Sequence, residues 1–259
     1  MRIVVVGGVA GGMSAAARAR RLDENAEIIV FERGDHPSFA NCGLPYYVSG
    51  EITSERDLLV QTPESLRDTL DLDVRVRHDV IGVDPVAKTV RVHTAAGEQT
   101  VAYDELILSP GATAVRPPLP GLDSPRVQTL RTVGDAVRLR ENVDEGARRA
   151  VVLGAGFIGL EAAEGLRMQG LTVDVVELAP HILPPLETEM ASLISAELRD
   201  ALGIAVHEGI GATAIETGPQ HDEVVLSDGT RIPADVVVLS VGVTPDTAVF
   251  AAAGVLCER

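Results

Sequence analysis

The chain has 259 residues, 46% hydrophobic and 23% charged, and its 22 basic and 38 acidic side chains give a formal net charge of −16. This composition is that of a globular protein and is too apolar for a disordered chain, and the sequence lacks the uncharged run of about 18 residues that a membrane span needs. The acidic balance argues against a nucleic-acid or membrane partner, because a polyanion would be repelled over most of the surface.

Two cysteines, Cys42 and Cys257, are too few and too far apart for a secreted disulfide framework. We therefore expect a reducing, cytoplasmic compartment and interpret Cys257 as incidental. The arginines near the N-terminus follow the first apolar run instead of preceding it, which argues against a signal peptide. The six histidines have no metal-ligand spacing, so no metal site is predicted.

The first dinucleotide pattern begins the chain. A β-branched run at 2–6 is followed by a glycine turn at 7–12 and by an Ala-rich, helix-favouring stretch at 13–22. A second apolar run at 27–31 ends in Glu32. Strand, glycine turn, helix, strand and acid is the order of a βαβ dinucleotide site, in which the helix N-terminus receives a pyrophosphate and the acid binds a ribose.

The same order recurs about 147 residues later, from a strand at 150–153 to Glu177. The second turn has three glycines, at 154, 156 and 159, whereas aligning Gly7 and Gly12 with the outer two puts Val9 at the middle of the first turn. Each acid follows its last glycine by 18 to 20 residues. One such pattern is also typical of a glycine-rich turn without a ligand, but two copies predict two bound dinucleotides.

Glu177 bears on the choice of coenzyme. A carboxylate there hydrogen-bonds a free ribose diol and repels a 2′-phosphate, and the following Leu178-Ala179-Pro180 offers no arginine to receive one. We therefore expect NADH to be preferred over NADPH. The alternative is that Glu177 is only a solvated strand end.

The segment Ser38-Phe39-Ala40-Asn41-Cys42-Gly43-Leu44-Pro45-Tyr46-Tyr47 is where we expect the chemistry. Pro45 predicts the start of a short helix, which puts Cys42 just before a helix N-terminus. That location favours the thiolate that a redox cysteine needs, although a small buried structural cysteine is the alternative. Tyr47 stands where a second thiol would complete a redox pair.

This segment and the first glycine turn resemble the single-cysteine branch of the FAD-dependent pyridine nucleotide-disulfide oxidoreductases, and specifically coenzyme A-disulfide reductases. The resemblance extends along the whole chain. It implies an α/β fold with two Rossmann-like dinucleotide-binding domains, the second inserted in the first. With a boundary at the Pro-rich 116–121, we predict the first part of an FAD-binding domain at 1–115, an NAD(P)H-binding domain at 116–242 and a return segment at 243–259.

The resemblance also implies site residues. The FAD contacts would be Gly7, Val9, Ala10, Gly12, Glu32, Arg33, Val80 and Gly111. The contacts to the nicotinamide dinucleotide would be Gly154, Gly156, Ile158, Gly159, Glu177 and Gly242, with Glu161 near the nicotinamide and flavin rings.

In the implied reaction, hydride passes from NAD(P)H through FAD to Cys42, which reduces CoA-disulfide or a CoA persulfide through a mixed disulfide with coenzyme A. Ser38 and Asn41 would flank the sulfur. Ser14, Arg18 and Arg21 share one face of the first helix and would bind coenzyme A, while Arg20 points elsewhere. The alternative is a solvated arginine face paired with Asp23 or Glu24.

Other functions stay open. NADH peroxidases and oxidases that use a cysteine sulfenic acid have a histidine where this chain has Ala10, which disfavours peroxide reduction but leaves an NADH oxidase. A non-catalytic dinucleotide-binding module or redox sensor is another candidate, and a ferredoxin-reductase-type protein would not need Cys42. Family members continue into the rest of the FAD domain and a dimerisation domain. The chain is therefore interpreted as C-terminally truncated, holding FAD weakly, with the family's homodimer doubtful.

Overall fold

The computed structural model describes residues 1–257. Its helices are α1 (Ala10–Leu22), α2 (Leu44–Ser49), α3 (Pro63–Leu70), α4 (Val133–Asp144), α5 (Phe157–Met168), α6 (Thr188–Asp200) and α7 (Ala248–Ala252), with 3-10 turns at Asn41–Gly43 and Glu55–Leu58. The strands are β1 (Arg2–Val6), β2 (Glu27–Phe31), β3 (Asp73–Arg75), β4 (Asp79–Asp84), β5 (Thr89–Thr94), β6 (Gly97–Ala102), β7 (Glu105–Leu108), β8 (Ala112–Ala114), β9 (Val127–Gln128), β10 (Arg149–Leu153), β11 (Thr172–Glu177), β12 (Ala205–Glu208), β13 (Ala212–Glu216), β14 (Asp222–Leu226), β15 (Arg231–Ala234), β16 (Val236–Leu239) and β17 (Val243–Pro245).

The chain divides into two compact units. The first comprises Met1–Ala40, Leu59–Thr113 and Thr244–Arg259, and the second comprises Asn41–Leu58 and Ala114–Val243. The segment with Cys42, which we predicted within the first domain, groups with the second unit because α2 packs against α4 and α5. The last two residues of the predicted return segment lie outside the described residues.

The first unit is built on a parallel sheet of order β3-β2-β1-β7 and an antiparallel sheet of order β4-β5-β6. Strand β1 is buried from Ile3 to Val6, because the central strand of a parallel sheet has both faces covered. On one face Val5 and Val30 pack with Met13 of α1, and on the other Val4 packs with Phe250 of the return segment.

The second unit repeats this plan with a five-stranded parallel sheet of order β12-β11-β10-β16-β9 and an antiparallel sheet of order β13-β14-β15. Val151 and Leu153 of β10 pack on Val224 and Ile232 of the antiparallel sheet. The observed β10 begins one residue before the predicted start at residue 150. The parallel α/β fold with a repeated dinucleotide-type unit is confirmed.

Equivalent hydrogen bonds show that the two units share one architecture at their glycine turns. The N–H of Gly7 donates to the carbonyl of Phe31 at 2.8 Å, as that of Gly154 donates to Val176 at 2.8 Å. In such sheets ligands bind at the carboxyl ends of the strands. Each unit therefore has one candidate dinucleotide-binding site, at the carboxyl ends of its parallel strands. Within the described part of the chain, no helix has the length and apolar character needed to cross a bilayer.

Asp235 fastens the start of β10 to the turn before β16. Its Oδ2 accepts hydrogen bonds from the backbone N–H groups of Arg148 at 2.9 Å and Arg149 at 3.0 Å, and its Oδ1 accepts from the Arg149 guanidinium at 2.6 Å. Burial raises the pKa of Asp235, but these hydrogen bonds outweigh it, so the pKa is lowered overall.

We expect Asp235→Asn to lower the free energy of unfolding by about 2 kcal/mol at pH 7, because a charge-assisted network is lost. The folded-state pKa lies below the unfolded one, so this contribution is present above about pH 4 and is lost as the pH falls through the folded pKa. Urea unfolding at a series of pH values from 7 downwards measures this contribution to the free energy of unfolding. Asp123→Asn is the control, since that side chain is fully exposed. Equal effects of the two substitutions at pH 7 would contradict the prediction.

Candidate functional site

The outer glycines of both turns are required by packing. Gly7 and Gly154 have positive φ angles of 95° and 97°, which residues other than glycine rarely adopt. A Cβ on Gly12 would overlap the carbonyl of Gly7, and a Cβ on Gly159 would overlap that of Gly154. These four glycines therefore fix the close approach of strand, turn and helix in each unit.

The middle glycine of the second turn has a different environment. A Cβ on Gly156 would meet no protein atom within 4 Å, so packing does not require a glycine there. Close approach of a ligand to the backbone is the remaining physical reason for one. Val9 occupies the equivalent place in the first turn, since Val9 and Gly156 are the N-cap residues of α1 and α5.

The N-termini of α1 and α5 are prepared for an anion. Neither helix has a side-chain N-cap or an acidic residue in its first turn. By contrast, α3 and α4 begin with capping boxes, formed by Thr62 with Ser65 and by Thr132 with Asp135. Among the described helices of eight or more residues, only α1 and α5 lack a first-turn acid. Their free N–H groups and positive dipole ends suit a pyrophosphate.

Both strand-end acids are held by backbone N–H groups. Glu32 accepts from Gly8 and Gly34, each at 2.7 Å. Glu177 accepts from Ala155 at 2.7 Å and from Ala179 at 2.8 Å. Both side chains are buried, with relative exposures of 7% and 9%, so Glu177 is not a solvated strand end.

These hydrogen bonds leave acceptor capacity for a ribose, because each carboxylate oxygen has a second lone pair. The acids therefore fix the glycine turn as well as being available to a ligand. Sequence reasoning anticipated only the ligand role, although the parallel spacing of acid and turn in the two copies was a signal for the structural one.

The return segment adds a group that sequence reasoning missed. The guanidinium of Arg33 donates to Asp246, and the N–H of Asp246 donates to the carbonyl of Gly111 at 3.1 Å. Arg33 and Gly111 are thereby brought together in the first unit. The Val80 side chain is buried in the core, so any ligand contact from Val80 would use its backbone.

A cavity lies in the second unit at the carboxyl ends of β9 and β16. It brings Ile158 and Gly242 together, as members of the set Ala114, Thr129, Leu130, Arg131, Ile158, Leu239, Ser240, Gly242 and Val243. Phe157 and Ile158 are 64% and 45% exposed at the start of α5, although both are large and apolar. Glu161 is exposed one turn further along.

Cys42 is an exposed free thiol in the 3-10 turn directly before α2, so the alternative of a buried structural cysteine is wrong. Pro45 is in the first turn of α2, as predicted. The helix is seated on α5: a Cβ on Gly165 would lie 3.2 Å from the carbonyl of Pro45, and the Gln169 amide donates to the carbonyl of Ser49.

The two predicted neighbours of the sulfur fall in different units. Asn41 is exposed at the start of the segment grouped with the second unit. Ser38 belongs to the first unit, has a positive φ of 49° and donates its N–H to the carbonyl of Gly8 at 2.9 Å. The structure thus links Ser38 to the first glycine turn.

The predicted polar face of α1 is exposed to solvent and could contact a ligand. Ser14, Arg18 and Arg21 are exposed, and within residues 1–257 neither guanidinium has a hydrogen-bond or ion-pair partner. Arg20 instead donates to the carbonyls of Leu70, Glu24 and Asp71. Pairing of Arg18 or Arg21 with Asp23 or Glu24 is therefore not observed. In the described part of the chain no three His, Cys, Asp or Glu side chains are grouped to hold a metal ion.

The family model for pyridine nucleotide-disulphide oxidoreductases matches residues 1–259. With its paired glycine turns and strand-end acids, the chain belongs to this family, whose members use FAD and NADH.

Among curated proteins, the chain is 37% identical over 203 residues to a coenzyme A disulfide reductase of Staphylococcus haemolyticus, covering 76% of this chain and 45% of that protein. It is 33% identical over 257 residues to an NADH oxidase of Methanocaldococcus jannaschii, covering 98% of this chain and 57% of that protein. The chain thus spans about half the length of the curated relatives it matches.

Two solved structures show the same fold. The reduced Bacillus anthracis CoADR-RHD has a TM-score of 0.95 and 41% identity, covering 99% of this chain and 46% of that one. A NAD-dependent persulfide reductase from A. fulgidus has a TM-score of 0.95 and 36% identity, covering 98% of this chain and 48% of that one.

Proposed function

We propose that the protein is an NADH-dependent, FAD-containing reductase that cleaves CoA-disulfide, or a CoA persulfide, through the single redox cysteine Cys42. The observation that carries this proposal is the duplicated site: two glycine turns, each with an uncapped helix N-terminus free of acid and a buried glutamate fixed beside it. One such site is enough for a simple dehydrogenase, whereas an enzyme that passes electrons from one dinucleotide to another needs two sites.

The first unit fits FAD. Its α1 N-terminus would receive the pyrophosphate, and Glu32 a ribose hydroxyl, with the remaining contacts from Gly7, Val9, Ala10, Gly12, Arg33, Val80 and Gly111. Asp246 holds the Arg33 guanidinium in place for such a contact. When bound, FAD accepts a hydride from NADH and supplies an electron pair to a sulfur.

The second unit fits NADH. Gly154, Gly156 and Gly159 shape the turn, Glu177 would accept from the ribose diol, and Ile158 and Gly242 line the adjoining cavity, with Glu161 nearby on α5. None of the three residues after Glu177 is an arginine, and the Leu178 side chain is 76% exposed, so a 2′-phosphate would meet the Glu177 carboxylate without a neighbouring arginine to bind it.

Cys42 would carry the exchange step. Its thiolate attacks one sulfur of CoA-disulfide, the S–S bond breaks, and one coenzyme A leaves as a thiolate that takes up a proton. The new bond joins the Cys42 sulfur to the second coenzyme A. Two electrons from NADH then reduce this mixed disulfide, which releases the second thiol and restores the thiolate. The sum is NADH, a proton and one disulfide converted to NAD⁺ and two thiols.

The α1 face would bind the substrate. Arg18 and Arg21 lie one turn apart and have no partner within residues 1–257, and coenzyme A carries phosphates that a guanidinium binds with two parallel hydrogen bonds. Ser14 on the same face adds a hydroxyl, and Ser38 and Asn41 would flank the thiol end. This arrangement favours coenzyme A over a disulfide without phosphates.

We expect Arg18→Ala with Arg21→Ala to raise the KM for CoA-disulfide by about tenfold or more while changing kcat little, because two charge-assisted contacts to bound substrate are lost. NADH oxidation with CoA-disulfide as acceptor measures both constants. Arg67→Ala is the control, since it removes an exposed cation from α3 in the same unit. An unchanged KM in the double variant would show that coenzyme A does not bind to this face of α1.

An NADH oxidase is the second candidate, favoured by the 33% identity to the M. jannaschii NADH oxidase over 98% of the chain. Oxygen consumption with NADH and no disulfide measures this activity. Turnover with oxygen exceeding that with CoA-disulfide would favour the oxidase.

A further inference from the structure

Arg131 is the one charged residue among the described residues that line the cavity of the second unit. Its neighbours there are small or apolar, among them Ile158, Gly242 and Val243. Within residues 1–257 the Arg131 guanidinium has no hydrogen-bond or ion-pair partner, whereas Arg126 and Arg149 of the same unit are paired with Asp222 and Asp235. Within the described residues the charge of this half-buried residue adds no ion pair to the fold, so its position calls for a reason other than folding.

Asp135 holds the backbone of Arg131 but not its side chain. The Oδ2 of Asp135 accepts from the N–H of Arg131 at 2.9 Å, the N–H of Thr132 at 3.1 Å and the hydroxyl of Thr129 at 3.1 Å. The Oδ1 accepts from the guanidinium of Arg138. Asp135 is thus paired with Arg138, and among the described residues the Arg131 guanidinium has no carboxylate partner.

The order of strands places this cation at the nicotinamide end of a bound dinucleotide. Glu177 marks the end of β11, the glycine turn follows β10, and the cavity lies beyond β16 and β9. Neighbouring strands are about 4.8 Å apart, so the cavity is about 10 to 14 Å from the ribose acid. A dinucleotide with its adenosine ribose at Glu177 and its pyrophosphate at α5 therefore extends its other half into the cavity.

The two redox states of the coenzyme differ in charge only at that half. NADH has a neutral dihydronicotinamide ring and NAD⁺ a cationic one, while the pyrophosphate is the same in both. A guanidinium beside the ring repels only the oxidised form, whereas a guanidinium on the pyrophosphate would attract both forms equally.

We propose that Arg131 makes the second unit discriminate in favour of NADH and against NAD⁺. This inference rests on the proposed function, because it requires a nicotinamide dinucleotide in the second unit. Its consequence is that the oxidised product is held less firmly than the reduced substrate that must replace it.

The test is the dissociation constants of NADH and NAD⁺, measured by titration calorimetry on the 259-residue chain and its variants. We expect Arg131→Met to lower the ratio of the NAD⁺ constant to the NADH constant by about fivefold. Arg131→Lys keeps the charge and should keep the ratio. Arg148→Met is the matched control, since it removes an exposed cation next to the start of β10. That position is at the amino ends of the parallel strands, whereas the cavity lies at their carboxyl ends.

Equal weakening of both ligands in Arg131→Met would overturn the discrimination, since it would assign Arg131 to the shared pyrophosphate. Unchanged constants would overturn it as well. Arg131→Gln takes the place of Arg131→Met if the methionine variant does not fold. If the unsubstituted chain binds neither NADH nor NAD⁺, the proposed function falls, and the inference falls with it.

Discussion

Cys42→Ser is expected to reduce NADH-dependent cleavage of CoA-disulfide by more than about 1,000-fold. A hydroxyl is not ionised at neutral pH and cannot form the mixed disulfide through which the proposed exchange runs. NADH-driven reduction of ferricyanide by the FAD-loaded protein should stay within about twofold, because that reaction uses the dinucleotide sites and no thiol. The two assays therefore separate loss of the sulfur from loss of the fold.

Cys257→Ser is the matched control, because Cys257 is the chain's other exposed free cysteine. We expect it to keep full activity in both assays. If Cys42→Ser retained disulfide cleavage, the redox role of Cys42 would be refuted.

Glu177→Ala combined with Leu178→Arg is expected to shift the ratio of kcat/KM for NADPH over NADH by about 100-fold or more towards NADPH. The first substitution removes the carboxylate that repels a 2′-phosphate, and the second supplies a guanidinium to bind it. Two such contributions of about 1.4 kcal/mol each amount to a factor of about 100. Leu178 is 76% exposed, so an arginine there has room in solvent.

This variant also carries a structural cost, because Glu177 accepts hydrogen bonds from Ala155 and Ala179. Loss of those bonds loosens the glycine turn and lowers the rate with both coenzymes, so the ratio is the informative quantity. Leu193→Arg adds the same charge at a 65% exposed position on α6 and should leave the ratio unchanged. Equal losses of kcat/KM with NADH and NADPH in the double variant would show that Glu177 does not distinguish a 2′-hydroxyl from a 2′-phosphate.

The elements around both glycine turns could be predicted from the sequence because their signals are local. Strands β1 and β2 match the runs at 2–6 and 27–31 residue for residue, since buried parallel strands are continuous apolar runs bounded by turns. Helix α1 begins at Ala10, three residues before the predicted Met13, because the glycines at 11 and 12 are weak helix formers that packing against β1 overrides.

What the sequence could not predict depends on partners that are distant along the chain. Gln169 binds the carbonyl of Ser49 across 120 residues, and this packing groups the Cys42 segment with the second unit. The Arg33–Asp246 pair spans 213 residues.

The role of Cys42 is tested by the intact mass of the purified protein before and after treatment with NADH, with the modified residue mapped by peptide mass spectrometry. We expect one coenzyme A in disulfide linkage to Cys42, released when NADH is added. A Cys42 that carries no coenzyme A after incubation with CoA-disulfide, or an adduct that NADH does not remove, would contradict it.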